Sequence, residues 1–212
     1  MSTSTQDHSR ERQWFIVGRW QEYEGEARAN LLRIIGIGAF YAIQLANYHG
    51  VNLGPLQMPA GGDRSFHHSV TALAVAWSLV GLGTLLCLRL HIFPAALKFV
   101  TTGCDVLLLT TILILADGPR SPLVVGYFLV IALAALRFRL RLIWFAALAS
   151  MAGYLWVLGY FKWYDTRGLG VPRYHELIVL VALALQGIIL GQIIRRMRGM
   201  AEDFARRLPL ES

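Results

Sequence analysis

The sequence predicts an all-α membrane protein, a polytopic bundle of about six transmembrane helices with both termini in the cytoplasm. Of its 212 residues, 56% are hydrophobic and only 16% are charged, and the mean hydropathy is +0.50. A soluble domain carries about 25% charged residues, so this deficit indicates a lipid environment. The first thirty residues are polar and contain no apolar signal-peptide core, so membrane insertion must depend on the first span.

Six segments are apolar and long enough to cross the hydrocarbon layer, which takes about 20 helical residues. They are Leu31–Tyr48, His68–Leu90, Pro94–Ala116, Ser121–Phe138, Leu142–Phe161 and Tyr174–Ile194. Pro94 and Pro122 lie where proline commonly begins a helix. This division predicts a cytoplasmic amphipathic segment over 1–30, a six-helix domain over 31–194 and a cytoplasmic helical tail over 195–212, with a Gly- and Pro-rich loop over 49–67.

The distribution of Lys and Arg predicts the orientation. With the N-terminus inside, 15 of the 20 Lys and Arg residues are cytoplasmic: Arg10, Arg12, Arg19, Arg28, Arg33, Arg89, Lys98, Arg137, Arg139, Arg141, Arg195, Arg196, Arg198, Arg206 and Arg207. The outer side keeps Arg64, Arg120, Lys162, Arg167 and Arg173. We therefore expect a multi-pass protein of the inner or plasma membrane. Because its basic residues are spread around helix ends, no nucleic-acid partner is expected.

The N-terminal segment Glu11–Ala29 has an amphipathic helical pattern. Apolar side chains recur at helical spacing, and Glu24 and Arg28 form a favourable i, i+4 pair. This pattern favours a helix lying along the inner membrane surface. The alternative is a solvated lead-in whose aromatic residues anchor the first span. The apolar positions are Ile16, Trp20, Tyr23 and Ala27.

The C-terminal segment continues the sixth span with a 3-4-3-4 apolar spacing, which is typical of paired parallel helices. It favours a homodimer seam, although an apolar line within lipid is also an ordinary bundle face. The line runs through Leu190, Ile193, Met197, Met200 and Phe204, and extends back through Gln186, Leu183, Val179 and Glu176.

Asp105, near the centre of the third span, is the clearest candidate functional residue. On an insertion scale it costs about 2.5–3.5 kcal/mol, so we expect it to face the bundle interior. Lys98, Thr101 and Thr102 lie on the same side of the helix and form a polar stripe with it. An intramembrane carboxyl of this kind indicates a proton or cation relay, or a switchable hydrogen-bond node. The alternative is a structural carboxyl, held neutral or paired with another span.

A second polar stripe is predicted on the first span, and Gln186 lies midway along the sixth. Interhelical amide hydrogen bonds favour a role in holding the bundle together, with a ligand pocket as the alternative. The stripe consists of Arg33, Ile37, Phe40, Gln44 and Asn47.

Four histidines are predicted at the outer side, namely His49, His67, His68 and His175, with Asp63, Tyr174 and Glu176 nearby in sequence. They suggest a transition-metal site or a pH sensor, although histidine is also common at membrane interfaces. No HExxH or HxH spacing is present, and no cofactor is otherwise predicted. Cys87 and Cys104 form no CxxC pair. The sequence contains no nucleotide-binding loop or nucleophile elbow, so we expect no enzymatic activity.

One stretch is similar to a known type of protein. It begins Asp117-Gly118-Pro119-Arg120-Ser121-Pro122-Leu123 and runs through Tyr127 to Ala134-Ala135-Leu136-Arg137-Phe138. It resembles the multi-span membrane sensor regions of bacterial histidine kinases and nucleotide cyclases, and the likeness covers residues 95–205. The resemblance implies an outer turn, a span closing on Leu-Arg-Phe and an exit helix that carries a signal. With no catalytic domain after Arg207, it implies a free-standing module that acts on a separate partner.

The leading functional hypothesis is a non-enzymatic sensory or signal-relay module. It would rearrange the packing around Asp105, Gln44 and Gln186 and pass the change through the sixth helix to a cytoplasmic or membrane partner. One alternative is a small proton- or ion-coupled transporter that uses Asp105 with Lys98 or Arg33. Another is a membrane subunit carrying a metal or redox cofactor at the outer histidines. All three functions require the lipid bilayer.

Overall fold

The computed structural model describes residues 3–53, 56–58, 64–90, 96–164 and 170–207, and gives side chains for 23–50, 64–90, 96–164, 170–201 and 203. The helices are α1 (Thr3–His49), α2 (Arg64–Arg89), α3 (Leu97–Leu115), α4 (Val125–Ala135), α5 (Leu140–Trp163) and α6 (Arg173–Arg207). Two 3-10 turns, Gly118–Arg120 and Pro122–Val124, precede α4. A short antiparallel hairpin, β1 (Val51–Leu53) with β2 (Leu56–Met58), joins α1 to α2.

The prediction of an all-α class is confirmed, and that of a membrane protein is supported at a coarse level. Within the described residues, five helices are long and apolar enough to cross a bilayer, over Tyr23–His49, Arg64–Arg89, Leu97–Leu115, Leu140–Trp163 and Arg173–Ala201. The short hairpin lies within the connection expected over 49–67 and leaves the all-α class unchanged. Its strands have three residues each, too few to show an alternating sequence pattern.

The fourth apolar segment is shorter than the predicted Ser121–Phe138. It begins where expected, because Ser121 Oγ accepts a hydrogen bond from the Leu123 backbone N–H and Pro122 follows. The α-helix ends at Ala135, and Phe138 has a φ of 50°, a left-handed conformation that cannot continue a right-handed helix. Eleven residues of α-helix rise about 16 Å, and the two 3-10 turns lengthen this segment.

Helix α1 runs without a break through the predicted boundary at residue 30, so the N-terminal segment and the first span form one continuous helix. Glu24 and Arg28 do form the expected i, i+4 ion pair. Tyr23 is exposed and Ala27 is half-buried, while the side chains of Ile16 and Trp20 lie outside the described residues, as do Pro94 and Asp63.

Neighbouring helices pack antiparallel. Three contacts show this for α1 and α2. Asn30 donates a hydrogen bond to the Gly81 carbonyl oxygen, the hydroxyl oxygens of Tyr41 and Thr71 are 3.2 Å apart, and the Tyr48 ring stacks on that of His67. Residue numbers increase along α1 where they decrease along α2, so the two helices are antiparallel. On α3 and α4 the order is again reversed, since Lys98 and Thr110 contact Arg137 and Tyr127 respectively.

Helices α3 and α5 form the centre of the bundle. They run parallel, with the Phe99 and Phe145 rings 5.4 Å apart at one level and Gly153 beside Val106 further along. Their windows of highest hydropathy are more buried than those of α1, α2 and α6. The core is apolar and joins α3, α4, α5 and α6. Its fully buried members include Leu113, Ile131, Leu142, Ile143, Ala146, Val157 and Leu183.

The predicted C-terminal seam is divided between two environments. Leu183 is fully buried and Gln186 donates a hydrogen bond to the Phe128 carbonyl oxygen, so these two residues of the line pack inside the bundle. Ile193, Met197 and Met200 are exposed, and the Phe204 side chain lies outside the described residues. A homodimer along this line stays a prediction, and Ile193, Met197 and Met200 are its residues that the bundle leaves exposed.

Small residues allow close approach between α5 and α6. A Cβ atom placed on Gly187 would lie 2.8 Å from Ala147 Cβ, which is well inside van der Waals contact. Small side chains at such positions are what allow membrane helices to pack closely.

We expect Gly187→Ala to lower the thermal stability of the purified protein, because α5 and α6 must separate to accept the methyl group. Gly199→Ala on the same helix is the matched control, since a Cβ there meets nothing within 4 Å. Helix propensity alone would stabilise either variant by about 0.5–1 kcal/mol. Equal melting temperatures for the two variants would contradict the packing described here.

Candidate functional site

The polar stripe of α3 lies inside the bundle. Lys98, Thr101, Thr102 and Asp105 each expose 3% or less of their surface. Their 3-4 spacing keeps them on one face of the helix, while Leu107 on another face is 67% exposed. The position of Asp105 agrees with the expectation that a mid-span carboxyl turns away from lipid.

Asp105 is held by α1 and α2 together. Its Oδ2 accepts hydrogen bonds from Arg33 Nε at 3.1 Å and from Arg33 Nη2 at 2.7 Å. Its Oδ1 accepts one from Trp77 Nε1 at 2.8 Å. Both carboxylate oxygens are thus bonded, and a charge-assisted guanidinium–carboxylate pair is among the stronger hydrogen-bonded contacts. The contact joins three helices at one point.

Arg33 is in turn oriented by its own helix. Its Nη1 donates to Asn30 Oδ1 at 2.9 Å, and Asn30 Nδ2 donates to the Gly81 carbonyl oxygen on α2 at 3.0 Å. Gly81 is buried, and a Cβ there would lie 3.4 Å from the Ile34 side chain and 3.6 Å from Asn30 Oδ1, at ordinary van der Waals distance. The spacing of Asn30 and Arg33, three residues apart, puts them on the same face as Glu26.

Arg137, in the turn between α4 and α5, forms the second half of the network. Its Nη1 donates to the Lys98 carbonyl oxygen at 2.9 Å and to Thr102 Oγ1 at 3.0 Å, and its Nη2 donates to Thr101 Oγ1 at 3.2 Å. Glu26 Oε1 on α1 lies 2.7 Å from Arg137 Nη2. Arg137 therefore ties the first turns of α3 to α1.

Glu26 is the least satisfied member of the network. It is fully buried, yet neither of its carboxylate oxygens has a hydrogen-bond donor of good geometry among the described residues. The 2.7 Å approach of Arg137 is an ion-pair contact whose angles do not make a hydrogen bond. The cationic side chains of Arg33 and Lys98 also act on the Glu26 carboxylate electrostatically, after that of Arg137.

The same turn also contacts the exit helix. Phe138 follows Arg137 directly, and its carbonyl oxygen accepts a hydrogen bond from Arg198 Nη2 on α6. Phe138 has a left-handed φ of 50°, which turns the backbone so that Arg137 contacts α3 while the next residue, Phe138, contacts α6. A bulky residue is held in that conformation only when its surroundings impose it. We call residues 137 and 138 the bridging turn.

The second predicted stripe is only partly interior. Arg33 is buried and Gln44 is half-buried with a buried Nε2 that lacks a described partner. Phe40 is exposed at 39%, and Asn47 is also exposed. At this end of α1 the contacts with α2 are made by Tyr41 and Tyr48 instead.

Gln186 serves as an interhelical contact between α6 and α4 through its 2.9 Å bond to the Phe128 carbonyl oxygen. This is the bundle-holding alternative rather than a ligand pocket. It lies apart from Asp105, whose partners are on α1 and α2.

The outer histidines do not form a metal cage within the described part of the chain, where no three His, Cys, Asp or Glu side chains come together. His67 stacks on Tyr48 with ring centroids 4.0 Å apart, and its Nδ1 is buried without a described partner. His49, His68 and His175 are exposed. The hypothesis of a metal site has no geometric support among these residues.

Sequence reasoning missed Glu26, Asn30 and Trp77. The available signal was the 4-3 spacing of Glu26, Asn30 and Arg33, which places three polar residues on one helical face. This spacing was overlooked because Glu26 and Asn30 were assigned to the N-terminal segment and Arg33 to the first span. Arg137 was counted only as a cytoplasmic surface cation.

Comparison with protein-family models, with characterised proteins and with solved structures returned no match to this chain.

We expect Arg33→Met and Asp105→Leu each to destabilise the protein by about 3–5 kcal/mol, because each leaves an uncompensated buried charge. The double variant should lose less than either single one. Reversible unfolding in detergent, arranged as a double-mutant cycle, measures the coupling.

Arg28→Met is the matched control for that cycle, since Arg28 pairs with Glu24 at the exposed surface. Its loss should be about 0.3–0.5 kcal/mol. Strictly additive losses for Arg33 and Asp105 would show that the buried pair does not hold the helices together.

Proposed function

We propose that this protein is a non-enzymatic sensory or signal-relay module of the membrane. The observation that carries the proposal is the bridging turn, in which Arg137 enters the buried network and Phe138 contacts the exit helix α6. A change in the network is thereby passed to α6 over one peptide unit.

The physical basis of the relay is the low dielectric of the bundle interior. Charges there interact far more strongly than in water, so a change at one member alters the preferred positions of the others. Because Glu26 lacks hydrogen bonds while Asp105 has three, the Glu26–Arg137 contact is the less constrained half. We assign the switching step to that half and the holding role to Arg33 and Asp105.

The output of the relay is the end of α6. The helix continues to Arg207, beyond the apolar run that ends at Ile194, and exposes Met197 and Met200. We propose that this part contacts a separate cytoplasmic or membrane partner, or the same helix of a second copy. The resemblance of residues 117–138 to kinase and cyclase sensor regions supports this role, since its Arg137 and Phe138 are the residues of the bridging turn.

Geometry does not favour the transport alternative in the same way. Both oxygens of Asp105 are bonded to described side chains, and Arg33 already neutralises the charge. A carrier using Asp105 would first have to break these contacts.

We also propose that the chain crosses the membrane six times with both termini in the cytoplasm. The segment from Gly118 to Arg137 contains the two 3-10 turns and α4. Its first residue packs against Phe161, whose ring a Cβ on Gly118 would approach to 2.4–2.8 Å. Its last residue, Arg137, pairs with Glu26. Since Phe161 is near the end of α5 and Glu26 near the start of the apolar part of α1, this segment connects opposite ends of the bundle. The excess of Lys and Arg at the Glu26 end supports its cytoplasmic placement.

Cysteines at positions 117 and 141 test this topology, because both native side chains are exposed. In a background without Cys87 and Cys104, we expect a membrane-impermeant maleimide to label Asp117→Cys in intact cells, and Arg141→Cys only after permeabilisation. Labelling of both positions from the same side would contradict six crossings.

Spin labels at 141 and 203, both exposed, test the relay in the full-length protein in bilayers. We expect Glu26→Gln to change the distance distribution between them, because Arg137 loses its counter-charge. In an Arg198→Gln background the same substitution should have no further effect, since the bond from α6 to Phe138 is gone.

The spin-label measurement has two controls. Glu24→Gln alters an exposed carboxylate two residues away and should leave the 141–203 distances unchanged. Labels at 164 and 174 should be insensitive to Glu26→Gln because they lie at the far end of α5 and at the start of α6. Unchanged 141–203 distances in Glu26→Gln would refute the relay.

A further inference from the structure

Two hydroxyl groups in the centre of the bundle have no hydrogen-bond partner among the described residues. They belong to Ser150 and Tyr154 of α5, and both side chains are fully buried. Being four residues apart, they lie on the same face of the helix. A buried hydroxyl that makes no hydrogen bond is costly, so each such group in a folded interior requires a specific explanation.

A second pair of hydroxyls lies next to them. Tyr127 of α4 has its ring 6.4 Å from the Tyr154 ring, and its Oη is 2.8 Å from Thr110 Oγ1 of α3. Thr110 Oγ1 also lies 2.7 Å from the Val106 carbonyl oxygen. Because a carbonyl only accepts, Thr110 gives its proton to Val106 and receives the proton of Tyr127. The oxygen of Tyr127 is then left with free acceptor capacity.

Gly153 brings the backbone of α5 against these groups. A Cβ at this position would lie 2.8 Å from Thr110 Oγ1 and 3.0 Å from Tyr127 Oη. The absence of a side chain at 153 thus lets the Thr110–Tyr127 pair reach the helix that carries Ser150 and Tyr154. Unused donors on α5 and an unused acceptor on α4 therefore occupy the same region.

We infer that this region, where α3, α4 and α5 meet, is a binding site for water. A buried water commonly makes about three hydrogen bonds to polar groups that would otherwise be unsatisfied. Bound water can accept from the hydroxyls of Tyr154 and Ser150 and donate to Tyr127 Oη. The four hydroxyl groups are neutral, which suits a small uncharged ligand with both donors and acceptors.

The site extends the polar interior of the bundle beyond the ion network. Thr110 follows Asp105 by five residues on α3, a rise of about 7.5 Å. Polar groups then reach from Glu26 and Arg137 towards the middle of the membrane, along the two central helices. This inference is independent of the relay, since none of its residues belongs to the bridging turn.

Radiolytic hydroxyl-radical labelling of the full-length protein in lipid nanodiscs tests the inference, because radicals form in place from bound water. We expect Tyr154 to be oxidised several-fold faster than Phe161, an aromatic ring of α5 that is also buried but packs against Gly118. Equal protection of the two rings would indicate a dry interior and overturn the proposal.

Removing the hydroxyl groups of Tyr154 and Ser150 gives a second test, because a wet and a dry interior predict opposite changes in Tm. In a dry core, Tyr154→Phe and Ser150→Ala would remove an unpaired polar group and raise Tm. With bound water each removes hydrogen bonds, so we expect a Tm lower by about 2–4 °C and a double variant that loses less than the sum. Tyr160→Phe, whose side chain is 39% exposed, should leave Tm unchanged. A higher Tm in either single variant would overturn the proposal.

Discussion

The bond between Arg33 and Asp105 is the constraint on which the arrangement of the first three helices depends. A carboxylate in the middle of an apolar helix is tolerated only when another part of the chain neutralises it and satisfies both of its oxygens. Arg33 and Trp77 supply those contacts from α1 and α2. Rotation of α1 about its own axis, or sliding of α2 along it, would leave a charge unpaired, so the register of these helices is set by a polar contact.

The rest of the network follows from this register. Once Arg33 faces α3, Glu26 and Asn30 on the same side of α1 are also turned inward, and Glu26 requires a counter-charge from elsewhere. Arg137 provides it from the bridging turn, and the left-handed backbone at Phe138 directs the next carbonyl to Arg198. The first and the last helices are connected in this way through a turn that belongs to neither.

The sequence allowed some of these features to be predicted and not others. The cost of placing Asp105 in lipid was enough to indicate its orientation, and the 3-4 spacing of its neighbours identified the stripe. The change from polar to apolar composition at residue 30 indicated the start of the first span, but it could not show that the two helical segments form one unbroken helix, α1. The end of α4 depends on the backbone conformation of Phe138, which tertiary contacts impose and no local pattern encodes.

The shortness of α4 has a consequence for the surrounding lipid. Val125 and Leu129 are exposed on its surface. With eleven residues, α4 has a shorter hydrophobic length than α5, which has 24. Under the proposed six crossings, the bilayer beside α4 would thin locally, at a cost of a fraction of a kcal/mol per Å of mismatch. Membrane thickness would then bear directly on the segment that ends at the bridging turn, so that lipid chain length and lateral tension become physical inputs to the protein.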